Sequence, residues 1–177
     1  MTGDSLEEKI QQYAFEYPEE LSQTRRFLEL LQHPDAYLRT HLPGHITGSS
    51  FIVSDDFSKT LLVHHRKLNK WLQPGGHADG ELDVMAVALR EAMEETGLTN
   101  LKPITSSIYD LDIHRIPERK DFQAHDHYDV RFLFSGSVTD LIQVSHESHD
   151  VKWVTLYELE NYNKEESILR LRKKIPQ

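Results

Sequence analysis

The chain has 177 residues, with 20 Lys+Arg against 29 Asp+Glu, a formal charge of −9 and no cysteine. That length suits one domain with a sizeable core, and the lack of cysteine excludes a disulfide framework, a thiolate zinc site and a thiol nucleophile. The acidic balance argues against a nucleic-acid polymer as partner, so an anionic substrate would need a local basic patch or a metal ion.

No apolar run approaches the roughly 20 residues that span a bilayer. The polar start MTGDSLEEKIQQ lacks the basic-then-apolar order of a signal peptide. The expectation is no membrane partner and a cytoplasmic location.

From residue 4 to about 32, apolar positions recur at helical spacing: Leu6, Ile10 and Tyr13, then Leu21, Phe27, Leu28, Leu30 and Leu31. Pro18 separates two helices, near the start of the second, where its missing N–H costs little. Pro34 closes that second helix. Residues 1–40 are read as a helical extension packed on a domain spanning 41–177. Pro43-Gly44 is a turn signal leading into the strand candidate ITGSSFIVS. Asp55-Asp56 punctuates, and KTLLVHH reads as the hairpin partner.

Arg66 and Lys67 follow that partner strand. Arg66 is a candidate for binding substrate phosphate, because a guanidinium holds such oxygens in a bidentate way; a solvated hairpin tip is the alternative. Trp71 precedes the run Pro74-Gly75-Gly76-His77. The glycine pair has no side chain to keep a ligand from the backbone. His77, directly after it, is a candidate substrate contact or a packing residue.

A long helix is expected over residues 83–96, stopped by Gly97 as a left-handed cap. Its first half is apolar almost all round, the mark of a helix buried between layers. Glu91, Glu94 and Glu95 then fall at i, i+3 and i+4, sharing an arc of roughly 100°. Like charges at that spacing repel, and they face the negative end of the helix dipole. Arg90 can pair with only one of them. A cluster of hard oxygen donors suits Mg²⁺, Mn²⁺ or Ca²⁺. Mg²⁺ usually combines one or two carboxylates with substrate phosphates, so the cluster points to phosphate chemistry.

After Pro103 come three β-rich stretches, ITSSIYDLDIHRI, HYDVRFLFSGSV and VKWVTL, and a charged helix is expected over 164–174. Strands around one central helix give an α/β or α+β domain. His125, His127 and Asp129 alternate on one strand face, as a metal site or as a polar sheet face. Trp71 and Tyr128 are candidates for stacking on a base or for packing, and Trp153 for the core. No helical ligand pair of the HExxH type supports a zinc site.

Gly76, five residues, Leu82, seven residues and then Arg90-Glu91-Ala92-Met93-Glu94-Glu95-Thr96-Gly97-Leu98 resemble the Nudix box. That pattern is Gly-x5-Glu-x7-Arg-Glu-U-x-Glu-Glu-x-Gly-U, with U a bulky aliphatic residue. The match covers 23 residues with two departures. Leu82 stands at the first Glu, with Glu81 one position earlier, either reaching Arg90 or remaining a loop residue. Ala92 is a small residue at the first U.

The resemblance implies an α/β/α sandwich with a mixed sheet. It also implies Mg²⁺- or Mn²⁺-dependent hydrolysis of a pyrophosphate linkage in a nucleotide-type small molecule. By position, Glu91, Glu94 and Glu95 would hold the metal, completed by the carbonyl of Gly75. Glu94, Glu147 and Arg90 are the catalytic candidates, Glu147 because members often carry an acidic residue before a Trp-bearing strand. A sugar nucleotide or ADP-ribose is the expected substrate type, with a nucleoside triphosphate as alternative. Leu82 keeps open a catalytically silent nucleotide-binding module. Homodimers are common among members, so a homodimer is a further expectation.

Overall fold

The computed structural model of the protein describes residues 4–118 and 123–175, so the segments 1–40 and 41–177 fall partly outside them. Helix α1 (Leu6–Glu16) opens on a capping box. The Glu8 N–H donates to the Ser5 hydroxyl at 3.2 Å, and the Ser5 N–H donates to the Glu8 carboxylate at 2.7 Å. Pro18 takes the first position of a 3-10 turn, Pro18–Glu20, which leads into α2 (Leu21–Leu30). The expected break falls at that proline.

Four strands follow: β1 (Gly44–Ser54), β2 (Lys59–His65), β3 (Lys70–Leu72) and β4 (Gly75–His77). Then come α3 (Val84–Thr96), β5 (Lys102–Pro103), β6 (Asp110–Ile116), β7 (His125–Gly136) and β8 (Ser148–Thr155). The chain closes on α4 (Leu159–Tyr162), α5 (Glu166–Leu169) and a 3-10 turn, Arg170–Lys174.

The sheet is mixed, as expected. β1 runs parallel to β7, in register from Gly44 opposite Asp126 to Ser54 opposite Gly136. It is antiparallel to β2 and β4. β2 pairs antiparallel with β3 and β8, and β7 with β5 and β6. Period-2 alternation then sorts the side chains. Ile46 and Ile52 of β1 join Val130, Phe132 and Phe134 of β7 in one core with α1, α2 and α3. Phe51, Val53 and Leu133 face the other way and meet Leu171. Helices therefore cover both faces of the sheet.

Three local expectations need correction. The charged helix over 164–174 is not continuous with a single axis. Asn163 is extended, donates to the Trp71 carbonyl at 2.8 Å and accepts the Glu165 N–H at 2.7 Å. Further on, Arg170 and Lys174 turn inward to Asp110, which favours a tight 3-10 end over a solvated helix. The stretch ITSSIYDLDIHRI is strand only from Asp110, because the backbone bends over 104–107, where the Ser107 N–H donates to the Thr105 hydroxyl. Finally, α3 is not buried all round: Val84, Val87, Ala88, Ala92, Glu95 and Thr96 form its buried stripe, while Ala86 and Met93 face outward. No helix among the described residues is long and apolar enough to cross a membrane.

Candidate active site on the third helix

Asp83 caps α3 by accepting the Ala86 N–H at 3.1 Å. Gly97 ends the helix at φ 74°, the left-handed cap expected of it, with its N–H on the Met93 carbonyl. Between these ends the helix is pinned to β1. The Ser50 hydroxyl donates to the Ala88 carbonyl at 2.7 Å, and Gly48 lets the helix approach so closely that a Cβ there would lie 2.8 Å from the Val84 oxygen. That anchoring decides which glutamates are buried. Glu95, seven residues after Ala88, continues the stripe that faces the sheet, whereas Glu94 points to solvent.

β4 runs alongside, and its alternation divides its three residues between the faces. Gly76 faces α3, where a Cβ would lie 2.4 Å from both Cδ and Oε2 of Glu91. Gly75 gives its N–H to Glu95 at 3.0 Å, and a Cβ on it would overlap the Ser49 hydroxyl. His77 pairs in register with Thr47 and points to the opposite face. Its ring lies 5.2 Å from that of His45 and 5.0 Å from that of His127. Burial first, then nearby Arg39 and His45, push its pKa down to about 4.

Arg90 is the cation of the acidic cluster. Its guanidinium meets Glu91 at 2.6 Å and Glu94 at 3.6 Å, two carboxylates rather than the one expected, because the i+1 and i+4 side chains both lie within its reach. Glu95 has no such partner among the described residues. Burial above all, reinforced by the charges of Glu91, Glu147 and Glu94 and opposed by the Gly75 N–H, pushes it up to about 7. Glu91 is raised as well, by burial and by Glu94 and Glu147, against the pull of Arg90. Glu147 therefore lies close enough to be felt by both carboxylates. Three acids with one cation, two of them raised, form a site that favours an added positive charge. Their all-oxygen donor set, with a backbone strand free of side chains beside it, fits a hard divalent ion.

Sequence reasoning placed Glu91, Glu94, Glu95, Arg90 and Gly75 together, and the structure brings them together. Glu81 does not reach Arg90: its carboxylate accepts the Asp83 N–H at 3.1 Å, and Leu82 is exposed. Arg66 is turned to the loop of Glu147. Its guanidinium donates to the carbonyls of His146 and Ser148 at 3.1 and 2.9 Å, and its N–H to the Glu147 carbonyl. Trp71 stacks on His64, centroids 4.8 Å apart, and Tyr128 meets Phe27 edge-on, so both rings are engaged in packing. What sequence reasoning missed is the link from Arg66 to Glu147, two residues 81 positions apart that only strand pairing of β2 with β8 brings together.

A Xenopus laevis protein, nucleoside diphosphate-linked moiety X motif 6, is 38% identical over 63 residues, 32% of this chain and 29% of its own. A putative 8-oxo-dGTP diphosphatase of Bacillus subtilis is 29% identical over 110 residues, 61% of this chain and 65% of its own. The chain thus spans less than two thirds of either curated relative. In fold it is similar to a C. elegans Ap4A hydrolase solved as a binary complex, with a TM-score of 0.58 and 22% identity over 73% of this chain and 93% of that one. The NUDIX domain model matches residues 44–174, which hold the whole sheet, the acidic helix and the glycine strand beside it, and the chain belongs to the NUDIX family.

Proposed function

We propose that the chain hydrolyses a pyrophosphate linkage in a nucleoside diphosphate derivative of the sugar-nucleotide or ADP-ribose type, with water attacking phosphorus. The observation that carries this reading is the carboxylate cluster of Glu91 and Glu94 on Arg90 and cation-free Glu95 on the Gly75 N–H, beside the glycine pair Gly75-Gly76. Glu91, Glu94, Glu95 and the Gly75 carbonyl would hold Mg²⁺ or Mn²⁺. A divalent ion there supplies positive charge to the diphosphate and makes water more acidic.

The protein's own groups do the rest. Arg90 braces Glu91 and Glu94. The attacking water gives its proton to Glu94 or Glu147, the exposed carboxylates of the site. Arg66 holds the loop on either side of Glu147 and so positions that carboxylate. A second reading, hydrolysis of nucleoside triphosphates, draws on the B. subtilis relative.

The test is a phosphate-release screen over sugar nucleotides, dinucleotides and nucleoside triphosphates, with and without Mg²⁺, for wild type, Glu94→Gln and Glu95→Gln. Wild type should cleave at least one class only with the metal. The glutamine variants should lose roughly 10- to 100-fold or more in kcat/KM. No cleavage by wild type, or variants as active as wild type, would sink the proposal. Nucleotide binding of equal strength without metal would point to a silent module.

A further inference from the structure

The face of the sheet opposite α3 holds a cluster that the proposed hydrolysis does not use. His45 on β1 pairs with His127 on β7, and His77 on β4 projects from the position opposite Thr47, one alternation further along β1. Their ring centroids lie 5.0–5.2 Å apart. One donor atom from each of the three falls within 4.8 Å of the other two. Nitrogens on a tetrahedral zinc with bonds of about 2.0–2.1 Å sit roughly 3.4 Å apart, so small side-chain rotations would close the triad on an ion.

Hydrogen bonding does not account for the inner nitrogen of His45. His45 is 1% exposed, and its Nδ1 lies 3.2 Å from the His41 carbonyl. A carbonyl only accepts, so Nδ1 carries the proton and Nε2 is a bare lone pair. That Nε2 is buried without a hydrogen-bond partner, a condition that calls for an explanation in a folded protein. His125 shares only the outer bond, its Nδ1 2.8 Å from the Gln123 carbonyl, while its Nε2 accepts from Nε2 of His127 at 3.3 Å. An outer N–H given to a backbone carbonyl and an inner nitrogen left bare, as in His45, is the disposition that metal-bound histidines adopt.

We propose that His45, His77 and His127 form a second metal site, separate from the carboxylates of α3, which binds a divalent transition ion of the zinc class. Three imidazole nitrogens with no carboxylate among them select such an ion over Mg²⁺. His125, at hydrogen-bond distance from His127, is the residue available for a fourth position. The bound ion would tie β4 to β1 and β7, and β4 is the strand whose glycines face the acidic helix.

The site is tested on the full chain, stripped with chelator and equilibrated with Zn²⁺ in excess Mg²⁺, by metal content after gel filtration and by X-ray absorption at the zinc edge. One Zn²⁺ per chain is expected, with scattering from three or more imidazole rings. His77→Asn and His127→Asn, each checked for folding by circular dichroism, should weaken Zn²⁺ binding at least roughly tenfold. The Glu94→Gln and Glu95→Gln variants should bind it unchanged. Sub-stoichiometric zinc, an oxygen-dominated shell, or affinity lost in the glutamine variants but kept in the histidine ones would each overturn the proposal. Should the histidine variants fail to fold, the absorption spectrum of wild type decides alone. Because zinc binding is read directly, the outcome stands apart from any hydrolytic activity.

Discussion

Two acidic trios lie in this molecule, and they differ in what neutralises them. On α3, Glu91 and Glu94 share the single guanidinium of Arg90, and Glu95 has no cationic partner among the described residues. On β6 and β7, Asp110, Asp112 and Asp129 are all buried, yet each meets Arg131 at 2.9–3.2 Å. Arg170 adds pairs to Asp110 and Asp112, and Lys174 one to Asp110. Asp129 also accepts the hydroxyls of Thr47 and Ser49. The pKa directions follow. Burial would raise Asp112, but the hydrogen bond to His114 and the charges of Arg131 and Arg170 outweigh it and bring it to about 2. Glu95, buried without a cation, goes up to about 7.

The same residue chemistry thus serves two ends. Where the chain supplies its own cations, carboxylates fasten strands to the C-terminal turn. Where it withholds them, ionisation works against the fold. Glu95 in the cation-free protein is the clearer case: its stabilising neutral form persists below its ordinary value of 4.5, and that contribution is lost as pH rises through about 7. An incoming ion would relieve the strain, which is the physical sense of placing the metal there.

The sharpest way to break this contrast is to remove the central cation of the balanced trio. Arg131→Leu should cost about 3–5 kcal/mol, because it leaves buried aspartates without their shared partner. Urea denaturation measures the loss, and an unchanged midpoint would mean that Arg170 and Lys174 suffice alone. In the unbalanced trio the expected effect is on activity rather than on folding. Gly76 does not have a left-handed backbone, so alanine fits its conformation, but the new Cβ would displace the Glu91 carboxylate. Gly76→Ala should therefore lower kcat/KM roughly 100-fold while the thermal midpoint stays near that of wild type; a variant of full activity would detach Glu91 from the reaction.

The smallest effect is one of acid. Asp112 falls from an ordinary value of 3.8 to about 2 in the fold. Its contribution, about 2 kcal/mol, is complete above pH 3.8 and disappears as pH drops from 3.8 towards 2. Denaturant midpoints across that range should decline in wild type and decline less in Asp112→Asn. Parallel declines would assign the acid sensitivity to other carboxylates.

Much of the proposed active site was legible along the chain because it is local. Asp83, the apolar stripe, the glutamates and the cap at Gly97 all belong to one helix, whose period of 3.6 residues sets their relative directions. Glu81 could not be resolved that way, since a loop residue one position out of pattern can turn to either partner; it serves the Asp83 N–H instead. The terminal segment misled for a related reason. Its charges read as a solvated helix, but Arg170 and Lys174 are drawn to Asp110, about 60 residues earlier in the chain.

The sequence by itself determined the acidic helix, the glycines before it, the mixture of strands and helices, and the excess of negative charge that calls for a cation. It also placed His125, His127 and Asp129 on one strand face, since alternation needs no tertiary information. Only the tertiary structure decided what that face meets. Parallel pairing of β1 with β7 sets His45 beside His127, and antiparallel pairing of β1 with β4 brings in His77. Pairing of β6 with β7 sets Asp110 opposite Arg131. A shift of one residue in any register would turn these side chains to the other face of the sheet. The physical reason is that helical neighbours are fixed within a few residues, whereas strand neighbours are fixed by which edges pair, and that choice belongs to the folded whole.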